Sequence, residues 1–256
     1  MQNYIPPQTR GLTTNNIKTT KQMNKNLIKF AAIFGLTAVV AHAQFASNIG
    51  VTSNYVWRGM TYTDDEAAVF GGLDYSSGGF YAGTWLSTMT SNTEVDLYAG
   101  FSGETGSSEY DIGVIRYSYL DTADDDYYEL YGSLTFSGLT IGGAYTIESQ
   151  ATDTAAGQEA FIEGDVYLYA SYSIDLAETI GEGYSLSATV GQYLWDDDGV
   201  GGVDIDYNHL LLDLSKDAGD FGTVTLSGSF VSSDFINTGF MDDDDARFFV
   251  TWSKEF

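Results

Sequence analysis

From Gln44 onward the chain alternates apolar and polar residues with a period of two, and no segment keeps an i, i+3, i+4 apolar pattern for three helical turns. Successive side chains of a strand point to opposite faces, so each run reads as a strand with one apolar and one polar face. In the run 94–102, Val95, Leu97, Ala99 and Phe101 take one face, while Glu94, Asp96, Tyr98, Gly100 and Ser102 take the other. Val166, Leu168, Ala170, Tyr172 and Ile174 form a second such face. The pattern predicts twelve strands, near 47–59, 67–75, 80–87, 93–103, 109–119, 127–136, 139–148, 165–175, 183–195, 203–214, 222–231 and 246–256.

The connections alternate too. Those after every second strand (76–79, 104–108, 137–138, 176–182 and 215–220) are short or poor in acid. Most of the others carry acidic clusters: Asp64-Asp65-Glu66, 121–126, 148–165, Asp196-Asp197-Asp198 and 234–245; only 89–92 is neutral. Short turns on one rim and long loops on the other predict a transmembrane antiparallel β-barrel with short periplasmic turns and longer acidic extracellular loops.

A water-soluble β-sandwich is the alternative fold, and composition separates the two. A sandwich guards its edge strands with Pro and charge, yet no Pro follows Pro7 and Lys is nearly absent after Gln44. The polar faces are built of Gly, Ser, Thr and Tyr, which suit a narrow lumen, and the apolar faces would meet lipid. The absence of Cys excludes disulfide scaffolds, thiol nucleophiles and Cys-based zinc sites. After residue 43 five basic residues stand against all 36 acids, which excludes a nucleic-acid partner because phosphate attraction needs a basic face.

The basic residues before that point belong to an address. Met23-Asn24-Lys25-Asn26-Leu27-Ile28-Lys29, the apolar run 30–40 and Ala41-His42-Ala43 have the basic head, short apolar core and small-residue cleavage pattern of a secretory signal peptide. Three segments follow: a polar extension at 1–22, the signal at 23–43 and an exported barrel at 44–256, bound for the outer membrane of a Gram-negative bacterium.

Trp57, Trp85, Trp195, Tyr119 and Tyr128 lie near loop-side strand ends and are the expected interfacial aromatic girdle. The last strand alternates to a terminal aromatic, with Phe248, Val250, Trp252 and Phe256 on one face. Phe256 is therefore the expected signal for barrel-assembly machinery, and Lys254 on the same face is placed to snorkel at the rim.

The run Asn48-Ile49-Gly50-Val51-Thr52-Ser53-Asn54-Tyr55-Val56-Trp57-Arg58-Gly59-Met60-Thr61 resembles the opening of the TorF-type porin family. Its continuation, Gly71-Gly72-Leu73-Asp74-Tyr75 and Gly79-Phe80-Tyr81-Ala82-Gly83-Thr84-Trp85, is similar as well. So is the closing run Arg247-Phe248-Phe249-Val250-Thr251-Trp252-Ser253-Lys254-Glu255-Phe256. Met60 and Tyr62 depart from the family's Ile and Gln. The resemblance implies an outer-membrane barrel of porin type and brings no substrate with it.

Three arginines are the candidate pore-lining or constriction residues. Arg58 ends the first predicted strand, Arg116 nears the end of the fifth and Arg247 begins the twelfth, all toward the acidic rim. Closure of first strand on last would make Arg58 and Arg247 neighbours facing the lumen, whereas the phase around Arg116 is ambiguous. One reading is a basic constriction; the other, which the cost of an unpaired charge favours, is that each Arg pairs with a carboxylate. Asp64, Asp65, Asp124, Asp125, Asp196, Asp197, Asp242 and Asp243 form the expected acidic mouth. No cluster fits a calcium-loop spacing, so neither a metal nor another cofactor is expected.

Barrel proteases and phospholipases need a His working with Asp, Ser or Asn. The exported segment has one His, His209, which alternation places on the face opposite Asp204, Asp206 and Asn208. An enzyme is not expected. The predicted role is passive diffusion of small hydrophilic solutes, with a non-conducting structural or adhesive barrel as the alternative. Twelve strands can nearly fill their own interior with side chains, and whether the long loop near 149–162 folds inward is open at this point.

Overall fold

The computed structural model describes residues 43–122, 125–150, 160–196, 206–232 and 246–256. The expected extension at 1–22 and all of the expected signal except Ala43 lie outside the described residues. In chain order the strands are β1 (Gln44–Thr52), β2 (Val56–Trp57), β3 (Met60–Thr61), β4 (Ala68–Ser77), β5 (Phe80–Thr88), β6 (Thr93–Thr105) and β7 (Ser108–Tyr119). They continue as β8 (Tyr127–Phe136), β9 (Leu139–Ser149), β10 (Val166–Asp175), β11 (Tyr184–Leu194), β12 (Tyr207–Asp217), β13 (Thr223–Ser232) and β14 (Arg247–Glu255). All but β2 and β3 form one closed barrel of twelve antiparallel strands, in which β1 pairs with β4 on one side and closes on β14 on the other.

Closure excludes the sandwich and removes both free edges. The faces are inverted relative to a soluble protein. Val51, Leu73, Leu97, Ile112, Leu130, Ile141, Leu168, Val190, Leu226 and Val250 are exposed on the outside. Thr52, Asp111, Thr140, Ser171, Thr189, Asp213, Ser227 and Thr251 are buried inside. Period-two alternation predicted this sorting, and the cross-strand registers keep it in phase along the wall, apart from a shift between Tyr128 and Glu129 where β8 meets β9.

The tight turns gather on the rim that holds Gln44 and Phe256. Gly78-Gly79 and Ser137-Gly138 have positive φ at both central residues, the turn geometry whose twist matches two-residue hairpins. The opposite rim carries the connections after β1, β5, β7, β9, β11 and β13.

One predicted strand is wrong in an informative way. The first was expected over 47–59, but β1 ends at Thr52 and the chain leaves the wall at Ser53. Thr52 turns its hydroxyl onto the Asn54 carbonyl at 2.8 Å. The Asn54 side chain then ties the base of the excursion, accepting from the Thr61 hydroxyl at 2.6 Å and the Thr63 hydroxyl at 3.1 Å. Between these ties β2 and β3 form a small hairpin, with Val56 opposite Thr61 and Trp57 opposite Met60. Tyr55, Val56 and Trp57 are almost wholly buried: the hairpin lies within the barrel.

Candidate functional site

The tip of this hairpin is Arg58-Gly59, with φ of 48° and 91°. A two-residue turn of this hand requires positive φ at both positions, and Arg at the first costs about 1–3 kcal/mol of local strain. Gly at the second is required twice over. A Cβ there would also sit 2.7 Å from the Cβ of His209 on β12.

Arg58 is held by the wall. Its two terminal nitrogens donate to the two oxygens of Glu129 on β8, each at 2.7 Å, in a bidentate fork. Its guanidinium carbon lies 4.1 Å from the Trp57 ring centre and 4.3 Å from that of Tyr167 on β10. Tyr193 on β11 accepts a longer bond from the same guanidinium at 3.3 Å. The Tyr117 hydroxyl donates to Glu129 at 3.1 Å, and the Tyr207 hydroxyl donates to the Arg58 carbonyl at 3.0 Å. Two further carboxylates face this space from β6. Glu94 accepts from the Tyr55 hydroxyl, and Asp96 is fully buried with neither oxygen hydrogen-bonded.

Aromatic rings fill the remainder of the loop-side half. Phe161, from the loop before β10, lies 5.0 Å from Tyr127, 5.1 Å from Trp195 and 5.9 Å from Trp57, centre to centre. The described end of the long loop therefore contributes to the blockage beside the hairpin. Asp165 anchors the loop by accepting from the amides of Ile162 and Asp196, both at 2.9 Å. Burial pushes its carboxyl up to about 7, against those two bonds. Because this exceeds the ordinary Asp value of about 3.9, the carboxyl's contribution to docking is full below about pH 4 and is lost as pH rises through about 7. Amide exchange at Ile162 should accordingly be faster at pH 8 than at pH 5 after correction for intrinsic rate. Asp165→Asn should flatten the difference; an unchanged pH dependence in that variant would assign it elsewhere.

Toward the short-turn rim the lumen is polar around its circumference. Ser227 donates to Asp213 at 2.6 Å, Thr189 to Ser171 at 2.9 Å and Tyr81 to Asp111 at 2.7 Å, and the Ser215 and Thr225 hydroxyls lie 2.9 Å apart. A cavity of about 180 Å3 opens here between Glu104, Glu109, Asp111, Ser133 and Thr135.

The three arginines are not a ring. Arg58 is in the hairpin rather than on the wall, so it does not neighbour Arg247, which lies by the exposed Asp65 at 3.5 Å. Arg116 faces outward: β7 turns its odd residues inward, and Arg116 pairs at 2.7 Å with Asp126 beside the Tyr128 ring. Each arginine meets a carboxylate, as the cost of an unpaired charge requires. Asp64, Asp65, Asp125 and Asp196 are exposed along the loop rim, whereas Asp124, Asp197, Asp242 and Asp243 lie outside the described residues.

The girdle needs a larger correction. Trp57, Trp85, Trp195 and Tyr119 are buried inside, with Trp85 stacked on Phe70 and Trp195 on Tyr193. Their height along the strand suggested an interface, but strand parity turns the three wall-side residues inward and the hairpin carries Trp57. Only Tyr128 faces out. An outward aromatic band instead lies near the short-turn rim, where Phe45 meets Tyr75, Phe80 meets Phe101 and Phe221 meets Trp252.

His209 faces the lumen, where its Nε2 lies 2.9 Å from the Tyr167 hydroxyl. Neither Asp nor Ser supplies that contact, and the Asp206 carboxylate instead accepts from the Trp195 amide. Among the described residues no three His, Asp or Glu side chains are placed to hold a metal ion. Sequence reasoning overlooked Glu129, Tyr167 and Tyr193. The available signal was an acid at an inward position within a strand, where charge demands a partner.

Residues 38–151 match the model of a family described as bacterial protein of unknown function (Gcw_chp). The matched stretch includes the opening run and its continuation, but not the closing one. No curated protein matches. Among solved structures, one from work on the in-meso crystallization of membrane proteins shares the fold at a TM-score of 0.51 and 8% identity, covering 84% of each chain. OccK10 (OpdN) of Pseudomonas aeruginosa is similar at a TM-score of 0.42 and 12% identity, covering 84% of this chain and 70% of that one. OccAB2 of Acinetobacter baumannii is similar at 0.43 and 11%, covering 87% of this chain and 66% of that one.

Proposed function

We propose that the protein is a channel of the Gram-negative outer membrane for passive diffusion of small hydrophilic solutes, closed toward its loop rim by the 53–67 segment. The observation that carries this reading is the contrast within the lumen. Its short-turn half is a ring of hydroxyls and carboxylates, while its loop half is stoppered by a segment attached at one side of the wall. A purely structural barrel has no need of a polar interior beneath a separate plug. The filled loop half is nevertheless what favours the second reading, a non-conducting barrel presenting acidic loops.

Planar-bilayer conductance separates them. The intact protein is expected to conduct weakly, and a variant with 54–61 replaced by a Gly-Ser linker is expected to conduct several-fold more. No conductance from either refolded protein would establish the structural reading. Lipid contact has its own test. Val114 faces outward midway along β7, so Val114→Arg should cost about 2–4 kcal/mol in urea-monitored folding into lipid vesicles. A cost below about 1 kcal/mol, as expected near an interface, would argue against hydrocarbon at that level. Phe256 bonds its backbone to Ser47 and leaves its ring exposed, available to barrel-assembly machinery.

A further inference from the structure

We propose that the wall site filled by Arg58 is a binding site for solutes carrying a planar guanidinium group, with Arg58 as its built-in occupant. This rests on reading the lumen as a solute path.

Apart from Trp57, the side chains around the guanidinium belong to wall strands, and each is fixed by contacts that do not involve Arg58. Tyr117 donates to Glu129 and stacks on Tyr127 at 4.5 Å. Tyr167 meets His209 through its hydroxyl, and the two rings lie 7° from parallel. Tyr193 stacks on Trp195 at 4.0 Å. The site therefore keeps its shape if the hairpin withdraws. Trp57 would leave with the hairpin, opening one face of the slot to the body of a ligand.

The chemistry selects the ligand. Both Glu129 oxygens are engaged by parallel donors, a geometry that a planar guanidinium matches and a compact ammonium does not. The Tyr167 face adds attraction for a flat cation. Asp96 stands opposite Tyr117 in register, buried with both oxygens free of hydrogen bonds, and so offers acceptors near Glu129 to further donors of the ligand. The strained conformation of Arg58 lowers the cost of its exchange for a ligand.

Agmatine is the probe, and putrescine, which replaces the guanidinium with an amine, is its control. Binding to the full exported chain in detergent is read by tryptophan fluorescence and by the shift in thermal unfolding, neither of which needs conduction. Arg58→Ala should bind agmatine about tenfold more tightly than the unaltered protein, where Arg58 competes, and about tenfold more tightly than putrescine. Adding Glu129→Gln should remove most of that gain; if the double variant does not fold, Tyr167→Leu in the same background serves instead. Equal agmatine binding with and without Arg58, or equal binding of putrescine, would overturn the site. Tight binding by a protein that never conducts would retain the site and overturn the channel, while conduction without binding would do the reverse.

Discussion

Replacing Glu129 with Gln is expected to unseat the hairpin and raise conductance several-fold. Glu129 accepts both donors of a buried guanidinium, and removing one partner of such a pair costs about 3–5 kcal/mol because the other is left uncompensated. The barrel wall is held by backbone ladders around its full circumference, whereas the hairpin has two paired residues per strand. The loss should therefore appear as release of the hairpin rather than collapse of the wall. Bilayer conductance together with retained resistance of the folded form to detergent denaturation checks both halves. Arg58→Met with Glu129→Leu removes both members of the pair, leaves neither without its partner and should close the barrel again. A folded Glu129→Gln protein that conducts no better than its parent would show that the ion pair is not the latch.

Gly59→Val is expected to produce the same open state by a steric route. The positive φ of 91° disfavours a β-branched residue, and its Cβ would meet the Cβ of His209 at 2.7 Å and a Val231 methyl at 3.1 Å. Strain and overpacking together are worth about 2–6 kcal/mol against docking. Combining the change with His209→Gly removes the Cβ it meets but neither the Val231 contact nor the backbone strain, so closure should return only in part. Full recovery in that pair would assign the effect to the clash alone, and no opening in Gly59→Val would show that the tip can move aside.

Much of the wall was legible because alternation is a local property. Val95, Leu97, Ala99 and Phe101 declare their face without reference to anything distant, and the exposure of Asp64, Asp65, Asp125 and Asp196 was legible for the same reason. The hairpin was not. Tyr55, Val56, Trp57, Arg58, Gly59 and Met60 can be read as continued strand, and what bends them inward is a set of non-local ties. Asn54 reaches Thr61 and Thr63, and Arg58 reaches Glu129, 71 residues away. The aromatic residues failed for a related reason. Strand height is easily estimated, but which side Trp85 or Tyr119 takes depends on parity near a strand end. At Trp57 it depends on whether the strand continues at all.

The hairpin hangs from β1, and β1 is the seam strand. Its partner β14 is the last strand of the chain, so the Thr52–Thr251 contact joins residues 199 positions apart. Such long-range pairing is slow to form, and until it forms nothing encloses the hairpin on that side. Closing the wall and shutting the passage thus become one event, governed by the arrival of the C-terminal strand. A nascent barrel need never pass through a leaky stage.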